Sequence, residues 1–327
     1  MLHENCKLKI HQLQNANPKS GDVGVELEVE GDNLPLDVPG WVIKPEGSLR
    51  GKGGRTVSAD ENAPDVPHEY VSHRPVAIGG LHSKLNNLYK ALSQEHVKVR
   101  LTERASTHIH VNMSDQTIRN VIGFLAVFAM IEPVLLRVCG NSRNGNLFCL
   151  PSYETGDLPN FTQRIVNAIY AGPARSWPVK RGKYAALNTD PLLSLGSLEV
   201  RCFPNEVSPD QIFTWASWLI NLRELVSDWE DDTFMSLLDR AYNEPQWLLQ
   251  RIFGNEQLFV KCYPNNPAQL VTFGVEQAYE ILKAANPVLD YNKELQPKRG
   301  KTSKLSWSQP AFDEFIDDMP PMEDEGP

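Results

Sequence analysis

Strict alternation over Gly24-Val25-Glu26-Leu27-Glu28-Val29-Glu30 constrains this chain more than any other stretch. Period two is the signature of a half-buried β-strand, so Val25, Leu27 and Val29 face a core while Glu26, Glu28 and Glu30 share the other face. Carboxylates at i and i+2 stand roughly 7 Å apart. Without a cation between them they repel and raise one another's pKa. Divalent ions about 4 Å apart would relieve that repulsion and give the ladder a use. A solvated acidic face is the plainer reading of this stretch taken alone.

A second stretch has the same grammar. In Ser106-Thr107-His108-Ile109-His110-Val111-Asn112-Met113, His108, His110 and Asn112 alternate with Thr107, Ile109 and Val111, giving one polar and one packing face. Two imidazoles at i and i+2 suit a divalent metal or a phosphate. A third stretch, Gly196-Ser197-Leu198-Glu199-Val200-Arg201-Cys202-Phe203-Pro204, sets Glu199 and Arg201 to one side and Leu198, Val200 and Cys202 to the other. His68-Glu69-Tyr70-Val71-Ser72-His73 is a further strand, stopped by Arg74-Pro75. Four strands thus each carry a polar constellation opposite an apolar face, and their carboxylates and imidazoles could complete the shells of two or three Mg²⁺ or Mn²⁺ ions.

Around these strands the chain reads as soluble and globular. Its 327 residues are 41% hydrophobic and 22% charged, values of an ordinary folded protein. A net charge of −9 argues against a general nucleic-acid binder. The five cysteines show no CxxC pairing and no zinc spacing, which favours a reducing cytoplasm. Met1 to Lys9 lacks the apolar segment of a signal peptide. The apolar run Val121 to Ile131 falls short of the roughly 20 residues of a membrane span and reads as a buried helix.

In chain order, residues 1–15 form a lead-in with a short strand expected at Cys6 to Ile10. Trp41 to Lys44 is extended, and residues 51–67 form a flexible Gly/Ser/Pro-rich loop in which Lys52 and Arg55 could close over phosphates. Helices are expected over Leu81 to Leu92, Thr117 to Val138 with its N-cap in Ser114-Asp115-Gln116, Phe161 to Tyr170, Ile212 to Val226, Leu238 to Phe253 and Val271 to Ala284. Val97 to Val99 is a short extended piece, and Gly140 to Gly145 is a loop holding Arg143. Residues 291–327 read as an acidic, disordered tail.

Taken in order, GVELEVEG, EGSLRG, EYVSHRP, STHIHVNM, KYAALN and GSLEVRCF resemble the amidoligase family, carboxylate-amine ligase relatives of glutamine synthetase and glutamate-cysteine ligase, often encoded by phages and bacteria. The resemblance covers roughly residues 21 to 225. It implies an α+β fold with a glutamine-synthetase-like catalytic domain over residues 16–290, a curved antiparallel sheet with helices on its convex side and a helical part over 205–290. It also implies ATP and Mg, with Mn as the alternative ion, as cofactors, and an unidentified carboxylate and amine as substrates, whether amino acid, peptide or protein side chain. Glu26 and Glu28 match the family's ExE metal ligands, Glu69 the acidic residue of its EhxS strand, His108 the metal-binding histidine and Glu199 the ligand of its ExR strand. By the same matching His110 meets phosphate, and Arg201 faces the transferred phosphoryl group or the substrate carboxylate. Lys52, Arg181 and Lys183 join the nucleotide side, while Tyr184 and Asn188 of YxxxN, with Arg143, stand near the substrate. The implied catalytic set is Arg201, Glu199 and Glu69. Two positions depart from the pattern: Glu46 replaces the usual Asp before Gly-Ser, and Lys183 replaces an Arg, losing its bidentate fork.

No membrane partner is expected, and a homo-oligomer is compatible with the resemblance. Two other readings stay open from the residues: a metal-dependent hydrolase or transferase on the same carboxylate ladder, and a catalytically silent phage virion or host-interaction protein that keeps the fold. No G-x-S-x-G elbow or Cys-His pairing supplies a protein nucleophile.

Overall fold

The acidic strand is an interior strand of the sheet. β1 (Val23–Asp32) pairs antiparallel with β3 (His68–Ser72) on one side and β5 (Ser106–Asn112) on the other. Beyond them lie β2 (Trp41–Pro45), β7 (Ser197–Pro204) and β6 (Leu187–Asn188), giving the spatial order β2-β3-β1-β5-β7-β6. A seventh strand, β4 (Lys98–Arg100), pairs with the far end of β1. The computed structural model describes residues 4–49, 66–140, 143, 146, 149–171, 184–205, 208–231, 233–254 and 267–289. These residues form an α+β unit with an open, antiparallel sheet and helices.

One face of the sheet is apolar, as the alternation requires. Val25, Leu27, Val29, Ile109, Val111, Leu198 and Val200 are buried together with the apolar stripes of the helices. α2 (Ile78–Leu92) buries Leu81, Leu85, Leu88 and Leu92 at the expected helical spacing. α3 (Ile118–Val138) is buried nearly all round. It is long and apolar enough to cross a membrane, with a mean hydropathy of 2.1, yet 89% of that window is buried inside the protein. Its cap is Thr117, whose Oγ1 accepts from Asn120 N at 3.2 Å, not the Ser114-Asp115-Gln116 cluster. Ser114 Oγ instead accepts from Lys19 N at 2.9 Å.

Asp22, just before β1, ties strand to helices. One carboxylate oxygen accepts from Ile78 N at 2.9 Å at the start of α2, and the other pairs with Arg223 at 2.7 Å. Arg223 lies on α7 (Pro209–Ser227) and also donates to Asn112 O at 3.1 Å, at the end of β5.

Two expectations are corrected. Cys6 to Ile10 is not a strand: a 3-10 turn over Glu4–Lys7 and helix α1 (Ile10–Leu13) occupy this region. Cys6 and Ile10, four residues apart, are both buried, so the short run follows a helical period. The helix expected over Leu238 to Phe253 is two helices, α8 (Met235–Asn243) and α9 (Pro245–Phe253). Pro245 cannot continue a helix but suits the first turn of a new one. The remaining helices are α4 (Ser152–Thr155), α5 (Asp157–Ala171), α6 (Pro191–Leu195) and α10 (Pro267–Leu289). The 51–65 part of the expected loop and the 291–327 tail lie outside the described residues.

Glu132, inside α3, is 1% exposed. It accepts from Ser152 N at 2.9 Å at the start of α4, but burial outweighs that bond and pushes its carboxyl up to about 7. An unfolded glutamate titrates at about 4.3. Between these values the folded chain keeps a proton that the unfolded chain has lost, so stability falls as pH rises, by up to about 4 kcal/mol. Glu132→Gln keeps the acceptor and removes this dependence. The expected result is a melting temperature above that of the wild type at pH 8, with the gap closing by pH 4.5, followed by thermal denaturation across pH.

Candidate functional site

Cross-strand pairing lays the polar face out in three rows. In the first, Lys44 of β2 stands opposite Glu69 of β3, which stands opposite Glu28 of β1. In the second, Val42, Val71, Glu26 and His108 follow one another across β2, β3, β1 and β5. In the third, Gly24, His110, Glu199 and Asn188 cross β1, β5, β7 and β6. Residues far apart in sequence therefore become neighbours because the strands share one register.

Glu26 is the hub. Its carboxylate lies 3.4 Å from His108 Nδ1 and 3.1 Å from His110 Nε2. His108 Nδ1 also lies 3.3 Å from Glu199 Oε1, and His108 Nε2 lies 3.7 Å from Glu28 Oε1. Glu28 Oε2 accepts from Ser106 N at 2.8 Å and Ser106 Oγ at 2.7 Å, leaving Oε1 turned toward the cluster. Glu199 accepts from Asn188 Nδ2 at 2.6 Å and pairs with Arg201 Nη1. His110 Nδ1 stands 3.1 Å from Ser197 Oγ.

The electrostatics are those of crowded acids. Burial alone would raise Glu26, but hydrogen bonds and charge from His108 and His110 outweigh it and hold the carboxyl well below the usual range. Burial and then the charge and hydrogen bond of Glu26 push Glu69 up to about 8, with Glu46 adding to the rise and Lys44 opposing it. Burial disfavours the imidazolium of His110, yet Glu26 and Glu199 lift its pKa above the ordinary value. Glu28 and Glu199 are only 5% and 4% exposed, so water does little to screen this charge.

Could these residues hold cations? One donor atom each from Glu26, Glu69 and His108 lie within 4.8 Å of one another, and the same holds for Glu26, His110 and Glu199, and for Glu28, Glu46 and Glu69. Carboxylates with one or two imidazoles are a donor set for Mg²⁺ or Mn²⁺ rather than for a soft metal. A positive ion would also offset the repulsion that raises Glu69. The residues fit such an ion.

Glu26, Glu28, Glu69, His108, His110, Glu199, Arg201 and Asn188 thus come together on the sheet. Glu30, on the same strand, stands opposite Arg100 of β4 and belongs to none of the three-donor groups found among the described residues. Arg143 stands elsewhere than expected. The residue is 1% exposed and its guanidinium donates to the carbonyls of Arg201, Cys202 and Glu103, so among the described residues it meets backbone beneath the site. Tyr184 stays 48% exposed beside the bridge that joins Leu150 to Ala185. Lys52, Arg55, Arg181 and Lys183 lie outside the described residues.

Two participants were not singled out by sequence. Ser106 fixes Glu28, and its signal was available, since it shares the period-two face of His108 and His110. Glu46, marked only as a departure from a motif, sits in the turn after β2, where Ser48 N donates to its carboxylate at 2.7 Å. No protein-family model matches the chain, and no curated protein matches it significantly.

Proposed function

We propose that this protein is an ATP-dependent carboxylate-amine ligase built on a glutamine-synthetase-like sheet. The reading rests on one observation above all: acids and imidazoles from β1, β3, β5 and β7 meet on one sheet face, within ligand distance of each other. Glu26, Glu28, Glu69, His108 and Glu199 would hold Mg²⁺ ions, which supply charge neutralisation for a transferring phosphoryl group.

A carboxylate is a poor acyl donor, and phosphorylation by ATP converts it to an acyl phosphate that an amine can displace. Arg201 has a buried Nε without a hydrogen-bond partner among the described residues, a donor suited to a phosphate or carboxylate oxygen. His110, biased toward its charged form, would donate alongside it. Glu69, a carboxylate at the edge of the cluster, would accept the proton that the attacking amine loses. Asn188 orients Glu199 through the 2.6 Å bond.

The test is ADP release from MgATP in the presence of mixed amino acids and amines, with the amide product sought by mass spectrometry. ADP formation that requires both a carboxylate and an amine is the expected result. ADP release independent of both would mean a simple ATPase. Absence of MgATP binding by the full chain would reject the reading.

A further inference from the structure

The pairing of β5 with β7 slips at one point. Ile109 faces Val200 while Thr107 faces Phe203, so two β7 residues, Arg201 and Cys202, stand opposite His108 alone. Such a bulge bends the strand, re-aims its side chains and leaves the extra residue without a ladder partner. The group that holds it here is Arg143. Its Nη2 donates to Arg201 O at 2.8 Å and its Nε to Cys202 O at 3.2 Å, so one planar fork takes the carbonyls of both bulge residues. Nη1 reaches Glu103 O at 3.5 Å, and Asn146 Nδ2 donates to the same carbonyl at 3.2 Å. On the same stretch of β7, Arg201 N donates to Ala186 O at 2.8 Å, continuing the ladder begun by the two-residue β6.

We propose that Arg143 is a positioning residue that locks the β7 bulge and thereby sets where the Arg201 guanidinium points in the site. The ligase reading enters only in naming what Arg201 meets, a phosphate or carboxylate oxygen. Burying an arginine without a carboxylate partner costs free energy unless its donors are used. Here the guanidinium meets three main-chain oxygens and the Cys149 thiol among the described residues, and two of those oxygens belong to Arg201 and its neighbour. A lysine offers a point charge in place of the fork and can serve one carbonyl well but not two in fixed geometry.

The experiment uses the full-length chain and the variants Arg143→Met, Arg143→Lys, Arg201→Ala and the double variant Arg143→Met/Arg201→Ala. The first readout needs no nucleotide: the Nε–H resonance of Arg201 in arginine-labelled protein, assigned by its loss in Arg201→Ala. In Arg143→Met this resonance should lose its protection from solvent exchange while the far-UV spectrum is kept, and Arg143→Lys should restore it in part. The second readout is MgATP affinity beside the affinity for Mn²⁺ alone. Arg143→Met should weaken MgATP about tenfold to a hundredfold, as Arg201→Ala does, with no further loss in the double variant and no change in Mn²⁺ affinity. An Arg201 resonance unmoved by Arg143→Met, or losses that add in the double variant, would overturn the proposal. If Arg143→Met does not fold, Arg143→Lys decides by the same resonance. If the wild type binds no MgATP, the ligase reading fails, and the resonance still decides the role of Arg143.

Discussion

Glu26→Gln is expected to weaken Mn²⁺ binding by about a hundredfold or more and to stop turnover, while leaving the fold intact. The substitution is nearly isosteric and keeps an oxygen facing His110. What it removes is the negative charge that two of the three candidate ion groups share, and that His108 and His110 are arranged around. Glu28→Gln, by contrast, touches one group only and should cost less. Glu30→Gln is the matched control: it lies on the same strand at the same spacing but is in none of the three donor groups among the described residues, and cation affinity should not change. Titration calorimetry with Mn²⁺, followed by the ADP assay, reads all three. Mn²⁺ affinity preserved in Glu26→Gln would remove the cation site from this sheet face.

The second large effect concerns stability. Gly274→Ala should destabilise the protein by about 3 kcal/mol, although alanine is the better helix former by about 1 kcal/mol. Gly274 lies on α10 and packs on α3 so closely that a Cβ would stand 2.5 Å from Ala129 O and from Met130 Cα and O. These are main-chain atoms of a buried helix and cannot rotate away. The approach falls one turn before Pro133, which lies inside α3. A proline at that position lacks the N–H that would have met Ala129 O, so this carbonyl is left to face α10. Urea denaturation distinguishes the two expectations by sign alone: a stabilised variant would mean that the helices have room between them.

The sequence announced the site better than its surroundings, and the reason is physical. On β1 and β5, and on β7 as far as Arg201, the polar and apolar faces obey period two, so those functional side chains are assigned to a face before any pairing is known. Which faces meet is decided by register, and register was not readable: nothing in Glu26 or His108 alone says that they are opposite one another. Glu30 illustrates the same limit, continuing the alternation but facing another strand. The bulge at Arg201 and Cys202 shows in the sequence only as the adjacent apolar pair Cys202-Phe203, and the residue that secures it, Arg143, resembles any arginine in a polar turn. At the N-terminus the apolar residues Cys6 and Ile10 were too few to separate a helical spacing from a strand. The break at Pro245 was visible but was absorbed into a longer apolar pattern.

The order of strands across the sheet sets a schedule for assembly. The hub carboxylate emerges early from the ribosome, whereas Glu199, on β7, follows only after α3 and α5 have been made. No early fragment can therefore enclose an ion with the full set of donors. Ions held as proposed, only by the finished sheet, would stabilise it by mass action, so divalent cation in the medium would favour closure of β7 over alternatives in which β5 keeps a free edge.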